Sequence, residues 1–198
     1  MSEVAAIIIS AGESTRMGRL KALLPWHGLP LIEYQIRNLL QAGIVQIIVV
    51  LGYRYEELSS HVKGLGVKYV VNHNYKLGKT TSIKAGIGAL KEEVSDILIL
   101  SVDQPRPAPL IYSLINTHKK SQALITSPRY GKRGGHPVIF SVKLRKELEA
   151  IDEEDQGLRK IFDVRRSGVN EVCVEDSIIH LDLNTYEDYL KAQKIYYG

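Results

Sequence analysis

The sequence predicts a three-layer α/β fold, in which a mainly parallel sheet carries helices on both faces. Four short runs are largely apolar, which is the pattern of strands that are buried on both sides. They cover residues 4–9, 45–51, 67–72 and 96–102. Helical patterns between them cover residues 31–42, 54–63 and 80–91. Strands that alternate with helices form parallel sheets through right-handed crossovers, and we expect the four strands in the order 3-2-1-4.

The second half of the chain has a less regular pattern. It predicts a helix after Pro109, strands at 123–127 and 137–141 around a loop at 128–135, helices at 143–150 and 157–164, strands near 170–174 and 178–182, and a closing helix from about Tyr186. Neither an internal repeat nor a linker interrupts the sequence. We therefore expect one domain over residues 1–198.

Composition and charge exclude several classes of protein. Apolar residues make up 44% and charged residues 24% of the chain, as in ordinary globular domains. The net charge of +4 suits an anionic small molecule and does not call for a nucleic acid partner. The apolar runs are too short to span a membrane, and we expect a cytoplasmic protein. The single cysteine, Cys173, excludes an internal disulfide and is expected to be buried between two valines.

A loop with two glycines follows the first strand directly. Residues 10–18 read Ser-Ala-Gly-Glu-Ser-Thr-Arg-Met-Gly, and Lys21 comes shortly afterwards. Backbone N–H groups in such a loop can hold phosphate oxygens, while Arg16 can bind them in a bidentate fork. The loop matches neither the Walker A motif nor the dinucleotide fingerprint. An ordinary strand-to-helix connection with surface cations is the alternative.

Asp103 follows the fourth strand and is expected to face this loop. In the order 3-2-1-4 the first and fourth strands are neighbours, and ligands bind beyond their carboxyl ends. A carboxylate would repel phosphates there unless a divalent cation lay between them. The sequence therefore predicts a metal ligand at Asp103, with Lys21 on the far side of the phosphates. A turn residue before proline is the alternative.

Several motifs resemble those of the molybdenum cofactor nucleotidyltransferases, most closely the cytidylyltransferase branch. The family's first motif, Leu-Ala-Ala-Gly followed by Ser-x-Arg-Met-Gly and Lys, matches residues 9–21. Its other motifs match Gly78-Lys-Thr-Thr-Ser82, Asp103-Gln-Pro105, Gly135-His-Pro-Val138, Asp155-Gln-Gly-Leu-Arg159 and Asp182-Leu-Asn-Thr-Tyr-Glu-Asp188. The resemblance spans nearly the whole chain. Ser10 stands where the family usually has Ala, Lys79 where an uncharged residue is usual, and Asn184 and Tyr186 replace Asp and Pro of the last motif.

The resemblance implies a three-layer Rossmann-like nucleotidyltransferase fold and a Mg²⁺-dependent transfer of CMP from CTP to a molybdopterin-type phosphate. Residues 1–105 would form the NTP-binding half and residues 106–198 the acceptor-binding half. A molybdoenzyme or its chaperone would receive the product. The implied catalytic residues are Arg16, Lys21 and Asp103.

The same resemblance assigns the binding residues. Nucleotide contacts would come from Ser10, Ala11, Gly12, Glu13, Ser14, Gly78 and Ser82. Mg²⁺ would be held by Asp103 with Asp182 or Asn184. The acceptor would lie near His136, Asp155 and Arg159.

Other interpretations stay open at this point. His136 before proline is typical of a structural histidine, and Asp155 belongs to an acidic run that is typical of a solvated loop. A guanylyltransferase of the same family or a sugar-1-phosphate nucleotidyltransferase would share most of these residues. Ala11 favours CTP, because the guanylyl branch usually has Gly there. A regulator that binds a nucleotide without turnover is the alternative outside enzymes.

Overall fold

Eight of the ten strands form one central sheet in the structure, which is a computed structural model that describes residues 3–196. In chain order the strands are β1 (Glu3–Ser10), β2 (Pro25–Trp26), β3 (Leu29–Pro30), β4 (Gln46–Leu51), β5 (Lys68–Val71), β6 (Val94–Ser101), β7 (Ile125–Tyr130), β8 (Arg133–Gly134), β9 (Val138–Ser141) and β10 (Val169–Cys173). The short strands β2 and β3 form a separate hairpin.

The strand directions decide which loops meet. The order across the sheet is β10-β7-β9-β6-β1-β4-β5, with β8 paired to β7. β1 pairs in parallel with β4 and β6, and β4 pairs in parallel with β5, which confirms the expected order 3-2-1-4. β9 runs antiparallel between β6 and β7. The carboxyl ends of β1, β6 and β7 therefore lie at one edge of the sheet, together with the start of β9.

Helices cover both faces of this sheet. They are α1 (Leu31–Gln41), α2 (Tyr55–Val62), α3 (Lys79–Gly88), α4 (Ala108–Ser121), α5 (Arg145–Ala150), α6 (Leu158–Val164) and α7 (Tyr186–Tyr196). Ala6 and Ile8 of β1 pack with α1, α2, α4 and α7 on one face. Ala5 and Ile7 pack with α3, α5 and α6 on the other. The alternation along β1 confirms the three-layer α/β prediction. No helix within residues 3–196 combines the length and the apolar character that a membrane span requires.

The strand expected near 178–182 is wrong. Residues Ser177–His180 form a 3₁₀ turn, which begins where the Asp176 carboxylate accepts a hydrogen bond from the N–H of Ile178 at 2.8 Å. Ile178 and Ile179 are both buried, as two strand residues would be. The apolar pair therefore indicated burial, but the side-chain cap favours a turn.

Two further expectations at the far end of the sheet are also wrong. The loop expected at 128–135 contains a hairpin instead, since β7 continues to Tyr130 and turns back into β8. Cys173 is exposed rather than buried. It ends the edge strand β10 and shares the exposed face of that strand with Glu171, two residues earlier.

Arg106 joins the two halves of the chain. Its guanidinium is fully buried and donates to four backbone carbonyls: Nε to His136 at 2.8 Å, Nη1 to Pro105 at 2.9 Å and Leu181 at 3.1 Å, and Nη2 to Ile179 at 2.9 Å. Burial lowers its pKa to about 10, so the group stays charged at neutral pH. These bonds hold the turn after β6, the start of β9 and the 3₁₀ turn together.

Helix α3 approaches the sheet unusually closely at Gly86. A Cβ atom there would lie 2.5 Å from Ile7 Cγ2 and 3.1 Å from Val50 Cγ2. Both neighbours are fully buried side chains of central strands, so they cannot move aside freely. Glycine is therefore required at this position by packing rather than by backbone conformation.

We expect Gly86→Ala to lower the free energy of unfolding by about 1–3 kcal/mol, because the added methyl group overpacks the contact between α3 and β1. Gly88→Ala is the matched control. A Cβ at Gly88 meets nothing within 4 Å, and alanine favours helix by up to about 1 kcal/mol. Urea denaturation of both variants measures the difference. A Gly86→Ala variant as stable as the control would contradict the close approach.

We expect Arg106→Lys to lower the free energy of unfolding by about 3 kcal/mol or more. Lysine keeps the charge, but one ammonium cannot reach carbonyls on three segments, and each buried unpaired carbonyl costs about 1–3 kcal/mol. Arg166→Lys serves as the control, because its side chain is 79% exposed and bonds only across one turn. Denaturant midpoints compare the two. Losses of equal size would show that the four bonds add nothing specific.

Candidate active site

A cleft of about 430 Å³ opens at the carboxyl ends of β1 and β6. Most of the residues that the sequence predicts for nucleotide and metal binding line it: Ser10, Ala11, Gly12, Ser14, Arg16, Lys21, Gly78, Ser82, Asp103, Asp182 and Asn184. Four predicted residues do not, namely Glu13, His136, Asp155 and Arg159. The topology of the sheet thus brings both ends of the chain to one cavity.

The loop after β1 is shaped by left-handed backbone and by one close contact. Ser14 has φ 55° and Gly18 has φ 69°, on either side of a 3₁₀ turn at Thr15–Met17. The Ala11 carbonyl accepts a hydrogen bond from the N–H of Tyr53 at 3.0 Å. A Cβ at Gly52 would lie 2.7 Å from that carbonyl oxygen. Gly52 therefore lets the loop pass close to the end of β4, and a glycine directly after a buried strand was the available signal.

Charges of both signs meet at the centre of the cleft. Lys21 Nζ lies 2.7 Å from Asp103 Oδ2 and 3.2 Å from Asn184 Oδ1. Arg16 Nη2 donates to the same Asn184 oxygen at 3.4 Å. The side chains of Lys21 and Asp103 are only 12% and 21% exposed. The sequence placed these two residues on opposite sides of the phosphates, whereas in the structure they form a direct ion pair.

The 182–184 segment is held against the turn after β6 by Gln104. Its Nε2 donates to Asp182 Oδ1 at 2.7 Å, and its Oε1 accepts from the N–H of Ser101 at 3.1 Å. The Asp103 carbonyl accepts from the N–H of Leu183 at 2.9 Å. Sequence reasoning overlooked Gln104, although it stands inside the Asp103-Gln-Pro105 motif. It positions Asp182 and, through the backbone, Asn184.

The oxygen atoms around Lys21 fit a divalent cation. The Lys21 ammonium already bridges a carboxylate oxygen of Asp103 and an amide oxygen of Asn184, so these two atoms converge on one positive charge. Oxygen ligands of this kind suit Mg²⁺. Asp182 gives one oxygen to Gln104 and keeps the other. Asp103 and Asn184 are accordingly the residues that would hold a metal, with Asp182 beside them.

The opposite side of the cleft is lined by the start of α3. Gly78 has φ 116° and ψ 169°, a conformation that favours glycine. Asn72, which is buried after β5, donates to Thr81 Oγ1 at 2.8 Å and to Ser82 Oγ at 2.9 Å. These bonds fix the first turn of α3. Asn72 was not predicted, because a single asparagine after a strand carries no distinctive signal.

Glu13 and Tyr75 connect the two sides of the cleft. The Tyr75 hydroxyl donates to Glu13 Oε1 at 3.4 Å, and the Tyr75 side chain itself lines the cavity. Glu13 also lies 3.5 Å from Lys76 Nζ. Glu13 thus supports the cleft from behind Tyr75 and does not face it.

The three residues predicted for the acceptor lie outside the cleft. His136 is held through its backbone by Arg106 and Ile179. Burial, with the nearby charges of Lys79 and Arg106, lowers its pKa to about 4, so its imidazole is neutral at physiological pH. Asp155 and Arg159 are exposed, and their acceptor role stays a prediction.

From the same acidic run, Glu153 reaches closer to the cleft than Asp155 does. Its Oε1 accepts from the N–H of Thr80 at 2.6 Å and so caps the start of α3. Asp155 instead pairs with Lys160 on the surface. The acidic run is therefore more than a solvated loop, because one of its members fixes the helix that lines the cleft.

Sequence comparison identifies relatives over almost the whole chain. The protein is 28% identical over 201 residues to the molybdenum cofactor cytidylyltransferase of Escherichia coli, which covers 99% of this chain and 98% of that one. It is also 28% identical over 192 residues to the nicotine blue oxidoreductase of Paenarthrobacter nicotinovorans, which covers 93% of both. Relatives of equal similarity thus carry different names.

Structural comparison agrees on the fold. Rv0371c from Mycobacterium tuberculosis aligns with a TM-score of 0.86 at 24% identity and covers 98% of both chains. The manganese complex of Rv0371c aligns with a TM-score of 0.80 at 24% identity, covering 98% of this chain and 99% of that one. The sequence pattern of the MobA-like NTP transferase domain matches residues 6–170. With the fold, the cleft and this match together, the chain belongs to the MobA-like nucleotidyltransferase family.

Proposed function

We propose that the protein is a Mg²⁺-dependent cytidylyltransferase that transfers CMP from CTP to a molybdopterin-type phosphate and releases pyrophosphate. The observation that carries the proposal is the meeting of Arg16 and Lys21 with Asp103 and Asn184 in one cleft. Two cations suit a triphosphate. A carboxylate beside them suits the metal ion that accompanies a triphosphate.

The chemistry requires positioning more than proton transfer. An oxygen of the acceptor phosphate attacks the α-phosphorus in line, the bond to the β-phosphate breaks, and pyrophosphate leaves. Arg16 and Lys21 would stabilise the charge that develops on the phosphate oxygens. A phosphate monoester dianion needs no general base. The neutral His136 outside the cleft is consistent with a mechanism that uses none.

Mg²⁺ would supply charge neutralisation between Asp103 and the triphosphate. The ion pair of the free site supports this assignment, because the Lys21 ammonium already compensates the Asp103 carboxylate there. A triphosphate would offer Lys21 a more highly charged partner. Asp103 and Asn184 oxygens would then face the metal.

The acceptor and the later partners follow from the family resemblance. The residues expected at the acceptor, His136, Asp155 and Arg159, belong to the half of the chain that contains β7 to β10. His136 precedes β9 at the same edge of the sheet as the cleft. We therefore place the acceptor beyond Asp103 on the β9 side. A cytoplasmic molybdoenzyme or its chaperone would take the product.

We expect CTP to bind more tightly than GTP. Ala11 is 2% exposed and lines the cleft, and its methyl group takes space that a glycine would leave to a larger base. Calorimetric titration with each nucleotide in the presence of Mg²⁺ measures the preference, and Ala11→Gly is expected to narrow it. GTP affinity equal to or above that of CTP would remove the support for a cytidylyltransferase.

We expect Asp103→Ala and Lys21→Ala each to lower kcat by ~10²–10³, the usual loss for one preorganised electrostatic contact. The two variants should differ in their Mg²⁺ dependence. Asp103→Ala removes a ligand and should shift the response to higher Mg²⁺, whereas Lys21→Ala should lower the rate at every Mg²⁺ concentration. Pyrophosphate release from CTP and acceptor measures both.

Lys191→Ala is the control for removing an ion-paired lysine, because Lys191 pairs with Glu187 at 2.7 Å on the outer surface of α7. It should leave the rate and the Mg²⁺ response unchanged. Thermal midpoints of all three variants should move little, since neither Lys21 nor Asp103 belongs to the apolar core. Wild-type rates in either site variant would show that the site is assigned wrongly.

A further inference from the structure

Ser10 ends β1 with a buried hydroxyl group that has no hydrogen-bond partner among the described residues. Its side chain is on the wall of the cleft, and the residue is only 5% exposed. An unpaired buried hydroxyl is unfavourable by about 1–3 kcal/mol. An alanine would avoid this cost in the free protein, so the hydroxyl calls for an explanation that the fold does not give.

The strand pattern makes an apolar residue the expected choice at this position. Side chains alternate along β1, and Ala6 and Ile8 pack on the face that Ser10 continues. Leu20 and Ala22 line the cleft beside it. The surroundings of Ser10 therefore offer apolar contacts, and the hydroxyl is the exception.

The register places Ser10 at the charged end of the cleft. Ile9 pairs with Ser101 of β6, and the Ile9 carbonyl accepts from the N–H of Val102 at 2.9 Å. Asp103 is the next residue, and its carboxylate holds Lys21. Ser10 thus lies beside the group of charges that would face a phosphate chain, rather than beside Gly78 and α3.

Other hydroxyl groups of the cleft already have partners. Ser14 Oγ accepts from the N–H of Lys21 at 3.3 Å, and Ser82 Oγ accepts from Asn72 at 2.9 Å. Ser10 Oγ makes no such bond. It is therefore a donor held ready for a group that enters the cleft.

We propose that the Ser10 hydroxyl donates a hydrogen bond to an anionic oxygen of the phosphate chain of the bound nucleotide. The inference rests on the proposed function and adds a binding residue to it. A hydrogen bond to a charged acceptor contributes more than one to a neutral acceptor. Ser10 would accordingly raise the affinity for the triphosphate while slightly destabilising the empty protein.

The test compares Ser10→Ala with wild type for binding of inorganic tripolyphosphate and of CTP, both with Mg²⁺, by calorimetry. We expect affinity for both ligands to fall by a similar factor of about 10 or more. The thermal midpoint without ligand should stay the same or rise, because the variant removes an unpaired buried hydroxyl. Ser59→Ala is the matched control: this buried serine donates to the Glu56 carbonyl at 2.9 Å inside α2. It should leave both affinities unchanged.

Each outcome decides the matter. Unchanged affinities in Ser10→Ala would overturn the inference and leave the proposed function standing. Weaker binding of CTP with unchanged binding of tripolyphosphate would overturn it as well, since the contact would then be to the base or ribose. A midpoint lowered as far as in Ser59→Ala would mark a structural role and count against it. A wild-type protein that binds neither ligand would contradict the proposed function and the inference together.

Discussion

The parallel pairing of β1 with β6 is the constraint on which the rest of the site depends. Ile9 lies opposite Ser101, so the loop after β1 and the turn after β6 leave the sheet side by side. This register brings Lys21 and Asp103, which are 82 positions apart, to a distance of 2.7 Å. Both strands are buried on both faces, so a slip of one residue would move their side chains to the wrong layers. The core thus fixes the geometry of the charges.

The second half of the chain reaches the same edge by a different device. Its segments are connected to the turn after β6 mainly through polar groups: Arg106 holds the carbonyls of His136, Ile179 and Leu181, and Gln104 holds Asp182. Such bonds have directions, whereas apolar contacts have almost none. They can therefore set the position of Asn184 beside Lys21 more sharply than packing alone, which suits a site where positioning supplies most of the catalysis.

Sequence reasoning predicted the parallel half of the fold well because strands that are buried on both faces leave continuous apolar runs. The meeting of the 10–21 loop with Asp103 followed from strand order alone. The later turns were harder. Ile178 and Ile179 are as apolar as strand residues, and only the Asp176 cap and the reach of Arg106 make that segment a turn. Cys173 was misplaced because a residue between two valines looks buried until its strand is known to be an edge.

The contacts of the site differ in the same way. Lys21 and Asn184 are 163 positions apart, and no local pattern connects them, so only the motif resemblance suggested their proximity. Arg106 stood one residue beyond a recognised motif, yet a lone arginine in a sequence does not reveal that it is buried. Local rules predict that buried positions are apolar. Arg106 and Ser10 both break that rule, and they lie on either side of the turn that carries Asp103. The arginine is fully paired within the protein, and the serine is paired with nothing in it. A buried polar group with all its partners stabilises one arrangement of the chain, whereas one without partners is tolerated where a ligand completes it. The contrast between these two residues separates the part of the site that maintains its shape from the part that waits for substrate.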